Sequence, residues 1–378
     1  MPTLRHNDNG APEVPRHDGE GALDISTSRH LDISKRNWRP DMSIIMLALL
    51  LAAGLLTGCS GDDAEADSVQ RGAELRFDVK SDRMMTRATV IGSNTELQTA
   101  SSAGDDIDIF AIFHETNKYF FSDYVPLHYA TDHWEFVDGS GNTVHYYWPI
   151  VGSVYKPLPV QSVDYASLDF MGFWPKTVEG YTIGRSFTYS SGQITGIELA
   201  FSGLPVTSAG QADIKECMCA YLPGQTYADQ VAAGGALPLQ FKHPFALIKF
   251  VIAAGSGTHV QVNSISIADM KTGGTCIYDG TTMTWGGQSG SETMMITPDT
   301  PLKYGTSSTE TTPLIVIPNN YGSKTLTVNG TWDDWSNVTN DISTSVDFDW
   351  QPGYIYTYHL TVTKYALTVD DEKFTEQW

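Results

Sequence analysis

From residue 74 onward the chain is a succession of short apolar segments separated by turn residues. No stretch there keeps the 3.6 period of a long amphipathic helix. Many short strands cut by Gly, Asn, Asp and Pro predict sandwiches. Residues 74–79 alternate and predict a strand with Leu75, Phe77 and Val79 inward. Residues 106–113, 167–175 and 213–221 predict further strands of the first half. Between the first two of these, residues 119–149 are rich in aromatics, with Gly139-Ser140-Gly141-Asn142 as a hairpin turn. Residues 80–89 and 93–105 lack any period and predict loops, the first exposed and open to proteases. The Gly- and Ala-rich residues 232–236 break the pattern, and the domain boundary is placed there. Strands are then predicted at 239–252, 260–268, 275–279, 314–318, 324–330 and 354–363. No repeat of 20–50 residues shows, which argues against solenoids and propellers. The expected fold is all-β, with two β-sandwich domains spanning 74–235 and 236–378.

What precedes residue 74 sets the compartment. Residues 44–56 are uninterruptedly apolar, too short for a bilayer span of about 20 residues but suited to a signal-peptide h-region. A buried core helix is the alternative, and it lacks a cap and an amphipathic period. The run ends in Leu56-Thr57-Gly58-Cys59, which resembles the bacterial lipobox. That resemblance implies a leader over residues 1–58 and a mature chain that begins at a lipidated Cys59. Several buried acyl chains, at about 0.8 kcal/mol per methylene, hold such an anchor close to permanently. Residues 1–41 are polar and unpatterned, and a start near Met42 would remove them altogether. Residues 59–73 form an acidic tether. Ser60 is compatible with the outer membrane, and the acids after it read either as a surface-export signal or as a solvated linker.

The formal net charge of −21 argues against nucleic acid and anionic membrane surfaces as partners. Three cysteines follow Cys59, an odd number that makes no disulfide framework. Cys217, Cys219 and Cys276 read as buried strand residues rather than metal ligands. His128, His133 and His145 read as strand-edge histidines for the same want of a ligand set. No metal and no cofactor is expected. No zinc-protease, nucleophile-elbow or phosphate-loop motif is present, so no enzymatic activity is expected. Trp332-Asp333-Asp334-Trp335 is the most site-like cluster, two indoles beside two acids. It reads as a polar hairpin tip between packed tryptophans, or as a glycan-binding platform. As a catalytic pair it is weak, because neighbouring residues on a strand point apart.

The assembled features resemble the fimbrillin family of Bacteroides-type surface proteins. The likeness rests on the lipobox at Cys59, the early strand and Thr86-Arg87-Ala88-Thr89. It continues through Tyr147-Trp148-Pro149, Leu168-Asp169-Phe170, Phe173-Trp174-Pro175, Phe241-Lys242-His243 and Ile317-Pro318, and closes on Trp350-Gln351-Pro352-Gly353-Tyr354. The resemblance implies two transthyretin-like sandwiches, a place in surface fimbriae on the outer membrane, and a role in adhesion to a host or bacterial surface ligand. It implies partners that are other fimbrial subunits, joined by strand exchange, and a membrane contact through the lipid anchor. It also implies cleavage between Arg87 and Ala88, with Arg83 and Arg71 as weaker positions. The cut would carry off the strand holding Leu75, Phe77 and Val79 and leave a groove for a neighbour's strand. Arg87 reads equally as a solvated loop residue. The tail from Tyr365 is a donor strand by one reading and a final strand of its own domain by the other, which is favoured. The rival function is a surface glycan-binding lipoprotein, which requires an exposed platform at Trp332 and Trp335.

Overall fold

The computed structural model describes residues 73–81, 94–150, 165–298, 308–332, 338–370 and 374–377. In chain order the first half supplies β1 (Phe77–Ser81), α1 (Asn94–Ser102), β2 (Ile107–Phe113), β3 (Val125–Tyr129), β4 (Trp134–Val137), β5 (Thr143–Val144), β6 (Leu168–Trp174), β7 (Thr182–Ser190), β8 (Gln193–Ser202), β9 (Met218–Gln225) and α2 (Tyr227–Ala232). The second half supplies β10 (Leu237–Phe241), β11 (Ala246–Ala254), β12 (Val260–Met270), β13 (Gly273–Tyr278), β14 (Met283–Ser289), β15 (Glu292–Ile296) and β16 (Thr309–Glu310). It continues with β17 (Leu314–Val316), β18 (Asn319–Trp332), β19 (Val338–Trp350), β20 (Tyr354–Val362), β21 (Leu367–Val369) and β22 (Phe374–Gln377). The chain is all-β in character, as its sequence predicts.

Alternation of side chains decides where the cores lie. A six-stranded sheet runs β5-β4-β3-β2-β6-β9. β6 is buried along its whole length and β2 along nearly all of it, because both faces of this sheet are covered. Ile107, Ile109, Ala111, Leu168, Phe170, Trp174, Met218 and Ala220 face one core. Phe110, Ile112, Met171, Phe173, Cys219 and Tyr221 face the other. The parallel pair β1–β10 closes the first core, and the sheet β14-β13-β8-β7 closes the second. In the second half, sheet β16-β11-β20-β21 packs on sheet β15-β12-β18-β19, with Ile248, Phe250, Ile265, Val328, Phe348 and Tyr358 between them. β17 adds to β11, and β22 to β20.

The middle core draws on both halves. Phe245, Leu247, Ile315, Ile317 and Ile355 meet Phe201, Leu204 and Cys219 there. β8 and β13 pair antiparallel, joining strands from either side of residue 235, and β10 packs entirely in the first core. Glu216 and His243, both fully buried, meet at 2.7 Å where the halves join. Burial pushes the Glu216 carboxyl up to about 7 against the pull of that imidazole.

Several details depart from the sequence expectations. The stretch 94–102, expected as loop, is α1, pinned by Leu97, which is fully buried in the first core. Leu97 is its only large apolar residue, so no period announces the helix. The strand expected at 213–221 starts only at Met218 and runs on to Gln225. β7, β8, β14, β15, β16 and β19 have no counterpart among the predicted strands, and the single strand expected at 239–252 is two, β10 and β11. The turn at 139–142 is found as expected: the Asp138 carboxylate accepts from Ser140 N at 2.8 Å and Asn142 N at 2.9 Å, and Gly141 takes a φ of 80°.

Candidate functional site

The leading segment, residues 73–81, is the place where the sequence and the fold raise a functional question. Its alternation is carried through: Leu75, Phe77 and Val79 are 3, 4 and 2% exposed, while Arg76, Asp78 and Lys80 face solvent. Phe77 sets its ring edge-on to Phe170 at 5.0 Å and to Phe136 at 5.9 Å. Burial of each such side chain contributes roughly 1.5–3 kcal/mol. The strand reaches this position by pairing in parallel with β10, Phe77 opposite Leu237 and Ser81 opposite Phe241.

Upstream of β1 both edges of the segment are held. On one edge Leu75 N donates to Tyr146 O, and Trp148 N to Ala73 O, each at 2.8 Å. On the other edge Leu237 N donates to Arg76 O at 2.8 Å. Beyond Leu237 no strand continues, and the side chain of Gln230 takes over. Its Oε1 accepts from Arg76 N at 3.1 Å, and its Nε2 donates to Glu74 O at 2.8 Å. Trp148 Nε1 also donates to that Oε1, at 3.0 Å. Gln230 is 4% exposed. It points inward because α2 is fixed locally: Thr226 and Asp229 form a reciprocal capping box, and Gly234 and Gly235, at φ of 89° and 108°, turn the chain into β10. Sequence reasoning missed Gln230. The capping box marks the helix, but a polar residue aimed at a core has no sequence signal of its own.

At the rim, Glu74 meets Arg76 and His145, each at 2.5 Å. Burial raises the Glu74 carboxyl, but hydrogen bonds and charge from Arg76 and His145 outweigh it and hold the group below its ordinary value. Beside the strand lies a cavity of about 530 Å³, with Phe77, His133, Trp134, Glu135, Phe136 and Tyr146 among its lining. Downstream, Ser81 N donates to Asn94 Oδ1 at 2.7 Å.

The remaining sites fall elsewhere. Cys59, Arg71, Arg83, Arg87 and Ala88 lie outside the described residues, as do Asp333, Asp334 and Trp335. Trp332 is 3% exposed and packs in the core of the second half, so its ring offers no exposed platform. His128, His133 and His145 each meet a carboxylate, on Asp106, Asp132 and Glu74 respectively. Among the described residues no group of three or more His, Cys, Asp or Glu side chains is placed to hold a metal ion. Cys217, Cys219 and Cys276 are free and buried in the middle core, which drives all three thiols up. The tail pairs at home: β21 and β22 both run antiparallel to β20.

Among solved structures, a fimbrial protein from Bacteroides vulgatus superposes with a TM-score of 0.54 at 16% identity, over 81% of this chain and 99% of that one. A candidate cell adhesion protein from Bacteroides uniformis gives 0.43 at 14% identity, over 81% and 98%. The tip fimbrial protein Mfa3 from Porphyromonas gingivalis, truncated at its C-terminus, gives 0.35 at 7% identity, over 72% and 94%. The first of these shares the fold. No curated protein matches the chain. The model of the fimbrillin-like family matches residues 86–378, and the chain belongs to that family.

Proposed function

We propose that this chain is a subunit of surface fimbriae, tethered to the outer membrane through an acylated Cys59 and assembled by strand exchange. In this reading a protease cuts after Arg87, the segment carrying Leu75, Phe77 and Val79 departs, and a strand from a neighbouring subunit takes its place. The observation that carries the reading is the placement of that segment. It fills the first core with three side chains, yet its strand partner, β10, lies more than 150 residues away in sequence. Once residues 82–93 are cut, only noncovalent contacts hold it. Its removal uncovers apolar groups such as Phe136 and Phe170 and leaves the β10 edge unpaired. A donated strand restores both by β-augmentation. The donor we favour is the tail of another subunit, since β21 and β22 sit at a sheet edge.

The protein acts in assembly and in adhesion to a surface ligand rather than in catalysis. We assign the first sandwich to residues 73–241, with β13 and β14 completing its second sheet, and the second sandwich to the rest. The experiment is cleavage of the purified lipid-free protein with an arginine-specific protease, followed by mass spectrometry and electrophoresis without boiling. The expected result is a fragment ending at Arg87 and a ladder of polymers. Complete cleavage there with a protein that stays monomeric would overturn polymerisation by exchange.

A further inference from the structure

We infer that Gln230 is the positioning residue that receives the exchanged strand, reading its backbone through a buried side-chain amide. The inference rests on the strand-exchange reading and specifies how the groove recognises its occupant. A primary amide has the same donor and acceptor as a peptide group. Here it stands in the β10 edge where the next peptide unit would stand. Its Oε1 accepts from Arg76 N and its Nε2 donates to Glu74 O, while the Leu237 N bond to Arg76 O follows directly along the same edge. Trp148 Nε1 fixes the orientation of the amide, because only the oxygen can accept two N–H groups.

The contacts go to backbone alone, so they carry no preference for the residues at 74 and 76. They do set register. A strand bonded to Gln230 at two backbone positions places alternate side chains inward, where Leu75, Phe77 and Val79 now sit, and a slip of one residue would turn them all outward. The groove therefore selects an incoming strand by backbone and by apolar period, not by sequence identity.

The test has two arms. In the uncut protein, hydrogen exchange is measured at the Arg76 amide in wild type and in Gln230→Ala, with Gln230→Met, which keeps the length without the amide, as the second variant. Protection at Arg76 should fall about tenfold or more, while amides of β2 and β6 hold theirs. In protein cut within residues 82–93, after the protease is inhibited, binding of a labelled synthetic peptide of residues 73–81 is compared with that of the same peptide carrying an ester oxygen in place of the Arg76 N–H. The ester should weaken binding to wild type about five- to tenfold and leave binding to the Gln230 variants unchanged. Unchanged protection at Arg76, or an equal ester penalty in all proteins, overturns the role of Gln230. Lost protection with no binding of either peptide shows instead that strand exchange itself is wrong, and the inference falls with it.

Discussion

The first and the last of the described strands are held in opposite ways. β1 is inserted: its apolar residues are 2–4% exposed at the centre of the first core, and its segment is gripped by Tyr146, Trp148, Gln230 and β10. β21 and β22 are applied: they lie along the outside of β20, and of Leu367, Thr368 and Val369 only Leu367 is buried. An inserted strand contributes core packing, whereas an applied strand contributes mostly backbone hydrogen bonds that water can replace. Within one subunit, then, the front strand places every apolar side chain it has in the core, and the rear strand β21 fully buries one, Leu367.

The difference is open to direct challenge. Phe77→Ala removes a ring that packs against two others in a closed core and should cost about 3–5 kcal/mol in denaturant unfolding of the uncut protein. Leu367→Ala opens space at the margin of a sheet, where neighbours can settle inward, and should cost about 2 kcal/mol, the low end of the range for such changes. Equal costs would mean that the tail is as deeply committed to its own domain as β1, and donation by the tail would lose its physical basis.

How much of this was legible beforehand varies by residue. The period of two in Glu74–Val79 specified both the strand and its inward face, because alternation in a half-buried strand has one solution. The apolar strands β2 and β6 were legible for the same reason, although their burial on two faces was not. β7 and β19 escaped because a polar residue interrupts the inward face of each: Arg185 lies between Ile183 and Phe187, and Thr344 between Ile342 and Val346. The β8–β13 pairing across the halves escaped because no local pattern encodes which distant strand a strand will join. Trp332 was readable as an exposed indole or a packed one, and only the fold decided, by closing the second core over it. Gln230 lay beyond reach entirely: its role depends on Glu74 and Arg76, more than 150 residues upstream.

The smallest expected effect separates the two ends by pH. Glu74 sits beside the inserted segment, and although burial opposes ionisation, Arg76 and His145 keep its carboxyl below the ordinary value. A carboxyl lowered in the folded state stabilises that state above the unfolded value near 4.5, and the contribution is lost as pH falls through the lower, folded value. The group is partly exposed and its partners Arg76 and His145 lie open to solvent, so screening limits the gain to less than about 1 kcal/mol. Acidification below about pH 4.5 should therefore loosen the leading segment specifically, seen as faster hydrogen exchange at Leu75 after correction for the intrinsic rate. Glu74→Gln should exchange faster at Leu75 already at neutral pH and show little further change on acidification. Amides of β21 should respond identically in wild type and variant, because no contact joins them to Glu74. If the variant altered both ends alike, the front strand would be coupled to the rear one, and the two would open as one unit rather than as separate partners in assembly.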